Sequence, residues 1–185
     1  MKKLILILSC AALFCPGAKG QTASSMNIED YYYVISSDYF MCDASAYEDS
    51  RSARRNLIRI CDKRNGYIEA QTSAGILCMA LFRDKGSKSD VLAIYLNCGK
   101  SCMCNVFDFR VYNRDGEWES VADKVPWEDI NSFLLSVGDK QGREVVPEYQ
   151  LPQNGNSIVA MESNTDHKLY ELRWNGQKFA LTLPE

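Results

Sequence analysis

Cys98, Cys102 and Cys104 crowd one short segment of a 185-residue sequence. Thiolates this close could hold a soft ion such as zinc or copper(I). The paired Cys-x2-Cys knuckles of zinc sites are missing, however, and the only imidazole is His167. Cys42, Cys61 and Cys78 make the set even once Cys10 and Cys15, which belong to the N-terminal leader read below, are set aside. In an exported chain an even set reads as three disulfides, and this reading is preferred to metal. Cys102 and Cys104 would share one face of a strand, roughly 7 Å apart, beyond the reach of a mutual bond. Many pairings stay open. The working expectation is Cys42 with Cys61, Cys98 with Cys102 across Gly99-Lys100-Ser101, and Cys78 with Cys104.

Other chemistry has weaker signals. His167 sits in a polar turn, Asn164-Thr-Asp-His-Lys168, and no Gly-x-Ser-x-Gly elbow supplies a nucleophile, so it reads as an exposed turn residue. Asp108 and Glu119 could face one another across a cleft as glycosidases require, but nothing in the spacing selects that pair. A thiol redox role for Cys102 and Cys104 would need a low-pKa thiolate, and Cys-x-Cys is not the usual spacing. Gly99-Lys100-Ser101 resembles the end of a phosphate-binding loop, but Ile94 stands where the upstream glycine is required. Asn113, Asp115 and Glu117 lack the distal glutamate of a calcium loop. No catalytic, cofactor-binding or metal-ligating residue is therefore assigned, and no cofactor.

The elements that must carry these residues are legible in part. Residues 28–35 are taken as a helix in an aromatic stretch with Tyr31, Tyr32, Tyr33, Tyr39 and Phe40. Such tyrosines could bind a sugar or peptide, but core packing is preferred. Residues 50–64 show helical spacing at Ala53, Leu57, Ile60 and Cys61, with Asp49 or Ser50 as cap and Asn65-Gly66 as stop. Its other side carries Arg51, Arg54, Arg55 and Arg59, read as a solvated face over a grip on an anion.

Strands are expected at 67–72, 76–82 and 91–96, the last two lying centrally and covered on both faces. Phe107, Phe109 and Val111 alternate with polar residues, and a two-residue Asp115-Gly116 turn would set Asn113 opposite Trp118, on the side of the two Phe residues. A further helix at 125–137, ended by Gly138, presents Trp127, Ile130, Phe133, Leu134 and Val137. Residues 139–156 read as a polar recognition loop with a short strand near Val145 and Val146. The alternating runs at 169–183 flank Asn175-Gly176, a turn that would pair Tyr170 with Leu181 and Leu172 with Phe179. A strand at 157–162 completes a meander.

Residues 1–20, MKKLILILSCAALFCPGAKG, read as a signal peptide cut before Gln21. A lipoprotein acylated at Cys10 is the minor alternative. The chain then resembles short exported proteins of Bacteroides-type bacteria, through that cleavage site and the closing Leu-Tyr-Glu-Leu-x-Trp-Asn-Gly-x-x-Phe hairpin at 169–179. The resemblance implies export to the periplasm or beyond, and no catalytic residues. The formal charge of −3 includes Lys2, Lys3 and Lys19, so the mature chain is more acidic still, which argues against nucleic acid. No segment after the leader is apolar enough to span a bilayer.

The expected fold is α+β over 21–185: an antiparallel β-sheet of about six to eight strands ending in a meander hairpin, with two packed helices, disulfide-stabilised. The expected function is a noncatalytic binding or inhibitory module for an unknown protein or glycan, with a carboxylate-dependent hydrolase or thiol oxidoreductase of the periplasm as the alternative.

Overall fold

The protein is described by a computed structural model covering residues 26–40, 49–86, 89–98 and 105–184. It is α+β, with ten antiparallel strands divided between two sheets rather than gathered in one. The first sheet runs in order through β1 (Ile58–Asp62), β2 (Tyr67–Gln71), β3 (Ile76–Phe82), β4 (Val91–Asn97), β5 (Val106–Tyr112) and β6 (Trp118–Ser120). The second contains β7 (Pro147–Gln150), β8 (Ser157–Glu162), β9 (Lys168–Trp174) and β10 (Phe179–Thr182). Helices α1 (Ile28–Val34), α2 (Arg51–Leu57) and α3 (Trp127–Gln141) complete the body, with a 3-10 turn at Ser37–Tyr39.

The near-continuous apolar runs of β3 and β4 place them centrally, as expected of strands buried on both faces. One face, with Leu77, Met79, Leu92 and Ile94, packs against Ile28, Tyr31 and Tyr32 of α1. The other, with Ala80, Phe82, Ala93 and Phe109, meets Ile158, Leu172 and Phe179 of the second sheet, and α3 adds Ile130 to the same core. Strand β8 alternates buried and half-buried residues, so the second sheet has a single core face. The α1 tyrosines serve packing, as Tyr31 and Tyr32 are buried.

Four expectations are corrected. Helix α2 stops at Leu57, and residues read as helix become strand β1, in which Cys61 pairs with Ile68. Ile58 and Ile60 favour the extended state, and Asn65-Gly66 turns a hairpin: the Asp62 carboxylate accepts the Asn65 N–H at 3.0 Å, and Gly66 takes φ 73°. Helix α3 runs through Gly138 to a left-handed Gly142. In the C-terminal hairpin Asn175 Oδ1 accepts the N–H groups of Gln177 and Lys178 at 2.9 and 3.0 Å, and Gly176 has φ 100°. Gly176 is thus the first central residue of the turn. Phe179 therefore faces Trp174, and Leu181 faces Leu172, a shift of two that keeps every side chain on its expected face.

The fourth correction is Arg54. It is 5% exposed, not solvated. Its Nε and Nη2 donate to the two Asp49 oxygens at 2.6 and 2.8 Å, and its Nη1 donates to the carbonyls of Tyr32 and Ile35 at 3.1 and 2.8 Å. The guanidinium lies 4.2 Å over the Phe40 ring, and Tyr32 donates its hydroxyl back to the Arg54 carbonyl at 2.8 Å. One side chain thus caps the exit of α1 and joins it to α2.

No disulfide occurs among the described residues, where Cys61 and Cys78 are free thiols, so a disulfide-stabilised fold has no support there. Each expected bridge has one partner, Cys42, Cys102 or Cys104, outside the described residues, as do the leader, Cys10 and Gly99-Lys100-Ser101. No described helix is long and apolar enough to cross a membrane.

Replacing Arg54 with Met should cost about 3 kcal/mol of stability, since two carbonyls and Asp49 lose their donor. Arg55→Met on the exposed side should change it by less than about 0.5 kcal/mol; urea unfolding of both variants checks this. Acid should also unfold the protein. Asp49 is held below the usual carboxylate range by Arg54, Glu29 by Lys63, and Glu171 at about 2 by Lys168 and Ser157. Carboxylates lowered in the fold stabilise it above their unfolded pKa and lose that contribution as pH falls through the folded value. The urea midpoint should hold above pH 4.5 and fall steadily toward pH 2.

Candidate functional site

On the α1 side of the first sheet, the 3-10 turn and strands β5 and β6 border a cleft of about 380 Å³. Tyr39, Asp108, Arg110 and Trp118 line it, with Ile94 at its floor. Asp108 and Arg110 project from one face of β5, two residues apart. Asp108 Oδ2 accepts from Arg110 Nε at 2.6 Å and from the Tyr39 hydroxyl at 3.0 Å, while Oδ1 accepts the Phe109 N–H at 2.8 Å. Burial first, and then the Asp108 carboxylate, push the Tyr39 hydroxyl up to about 12. The hydroxyl stays protonated and donates, so the triad is a fixed polar edge on an aromatic wall.

Trp118 reaches this cleft because of the β5–β6 turn. Asn113 Oδ1 accepts the N–H groups of Asp115 and Glu117 at 3.0 and 2.9 Å, and Gly116 stands at φ 83°. The loop holds three residues, with glycine in the left-handed position of a bulge, rather than the two expected. Tyr112 therefore faces Trp118, which corrects the Asn113 pairing and moves the indole to the opposite face from Phe107 and Phe109. There it packs 4.9 Å from Tyr112 and 6.1 Å from Tyr31, and its Nε1 donates to the Val34 carbonyl at 3.2 Å.

The same register separates the carboxylates considered for hydrolysis. Glu119 pairs with Val111 and so lies on the opposite face from Asp108, where it accepts from Asn113 at 2.7 Å. That pair cannot flank one glycosidic bond. His167 is exposed, with Nδ1 3.4 Å from Glu162, which also pairs with Arg143. Cys61 and Cys78 lie on opposite faces of the sheet, and burial pushes both thiols up, away from thiolate reactivity. No group of three or more His, Cys, Asp or Glu that could hold a metal occurs among the described residues.

Residues 139–156 do not form one recognition loop. They hold the end of α3 and the edge strand β7, which begins at Pro147 just past the expected Val145 and Val146. The cleft is hidden in the sequence because Asp108 and Arg110 read as an outward polar face and a two-residue turn sets Trp118 on the other side. The available signal was Asn113 before Asp115-Gly116, which favours the longer loop.

No family model, curated protein or solved structure matches this chain.

Asp108→Asn should lower the Tyr39 pKa from about 12, because the second of its causes is removed, yet leave it above 10, because burial remains. Ultraviolet difference titration against Tyr39→Phe reads the change directly.

Proposed function

We propose that the protein is an exported, noncatalytic binding or inhibitory module that engages a protein or glycan through the Tyr39–Trp118 cleft. The observation carrying this reading is the closed hydrogen-bond set around Asp108. Its carboxylate is taken up by Arg110, Tyr39 and the Phe109 N–H, so it offers no free base, and Tyr39 is held protonated. Half-buried aromatic walls beside a guanidinium suit recognition, since each presents apolar area with a polar edge.

The leader at 1–20 supports export. A hydrolase or thiol oxidoreductase is disfavoured by the opposite faces of Asp108 and Glu119 and by the raised thiols of Cys61 and Cys78.

Two experiments follow. The native exported product should begin at Gln21; retention of the leader contradicts the export reading. Immobilised protein should retain its partner from a panel of envelope glycans and proteins. Arg110→Gln should weaken that retention roughly tenfold, about 1.4 kcal/mol, with unfolding unchanged. Saturable turnover of any panel member, abolished by Asp108→Asn, would establish an enzyme instead.

A further inference from the structure

A second surface stands apart from the cleft and shares none of its lining. The β1–β2 turn, the end of β3 and the C-terminal hairpin border an open groove of about 490 Å³. Arg64, Arg83 and Lys85 line it, together with Asn156, Asn175 and Trp174. We propose that this groove binds the carboxylate or sulfate groups of an acidic polysaccharide. The proposal rests on the chain being an exported binding module, but not on the Trp118 cleft.

Charge is the first argument. The chain carries a formal −3, yet three cations and no carboxylate line this groove. Arg64 and Lys85 have no ion pair among the described residues, while Arg83 pairs with Asp90. The neighbouring acids do not line the groove and act on it only from beside it, as Asp62 does toward Arg64. Asp62 accepts from the Asn65 backbone and side chain at 3.0 and 2.7 Å, and Asp84, its side chain 2% exposed, pairs with Lys124 at 2.6 Å. The lining is thus cationic within an acidic molecule, which favours a particular anionic ligand over indiscriminate capture of polyanions.

Geometry is the second. The Lys85 N–H donates to the Gly176 carbonyl at 2.8 Å, and a Cβ at position 176 would come within 2.7 Å of Lys85 Cδ. The lysine methylenes are thus laid against the hairpin, and their placement needs the glycine. Asn156 donates its amide to the Trp174 carbonyl at 2.7 Å, leaving its own carbonyl as an acceptor. Asn175 uses its carbonyl in the turn, leaving its NH2 as a donor. An acceptor and a donor beside two unpaired cations match hydroxyls next to an oxyanion. Trp174 is 5% exposed and Phe82 3%, so the apolar floor is already covered and offers no pocket to a hydrophobic peptide side chain.

The mature chain should be tested by affinity electrophoresis and calorimetry against polygalacturonate, chondroitin sulfate, neutral dextran, duplex DNA and sodium sulfate. Retention by at least one acidic polysaccharide and none by dextran is expected, weakening between about 50 and 200 mM salt. Arg64→Gln with Lys85→Gln, both exposed positions, should reduce it at least tenfold, and Arg110→Gln should leave it unchanged. Retention that survives the double substitution overturns the proposal, as does its absence, equal binding of dextran or DNA, or binding of inorganic sulfate alone. Loss through Arg110→Gln instead would move the glycan to the cleft, overturning the groove and sparing the binding module.

Discussion

The central strands of the first sheet are apolar on both faces, and water must be kept from each. Residues 91–96 of β4 are buried without a break, which no sheet with a solvated side permits. Two covers are therefore required. The second sheet with α3 supplies one; α1, with the turn and helix that follow it, supplies the other. A short helix such as α1 is marginal alone and draws its stability from this packing. Its Asn27 cap, closed by Asp30, and the Arg54 clasp hold it down at either end.

Both proposed surfaces follow from how these covers end. The cleft lies where the N-terminal cover meets β5 and β6, and the tryptophan that walls it is tethered to the last turn of α1 through the Val34 carbonyl. The groove lies where the second sheet's closing hairpin meets the ends of β2 and β3. There Lys124 joins Asp84 to the Gln177 carbonyl, and Trp174 donates its indole N–H to the Arg83 carbonyl at 2.9 Å. Each surface is thus built on backbone that packing has already immobilised, which limits the ordering cost of binding.

Strands β3 and β8 are legible because continuous or alternating apolar pattern dominates them, whereas the aromatic stretch of α1 has no clean period and its helix is decided by packing on the sheet. The failures have local causes. Ala53, Leu57 and Ile60 fit a helix as well as a helix running into an edge strand, and only pairing with β2 decides between them. Arg54 looks like its neighbours Arg51 and Arg55 in sequence; its burial depends on carbonyls some twenty residues away, at Tyr32 and Ile35. Both hairpin registers are set by an Asn side chain that bonds forward, at Asn113 and at Asn175, which a count of turn residues does not contain. A slip of one moved Trp118 across the sheet, whereas a slip of two left every face intact. The division into two sheets lies in long-range packing, and the groove gathers residues from distant turns, so neither left a mark on local pattern.

Native-state hydrogen exchange measured across low urea concentrations tests the two-covered sheet most directly. If both covers close one cooperative body, the amides of Leu77, Met79, Leu92 and Ile94 exchange only through global unfolding, with the same urea dependence as the inward residues Ile158 and Leu172 of the second sheet. Exchange of the first four through small, urea-insensitive openings, while Ile158 and Leu172 stay protected, would show that the α1 cover is not part of that body.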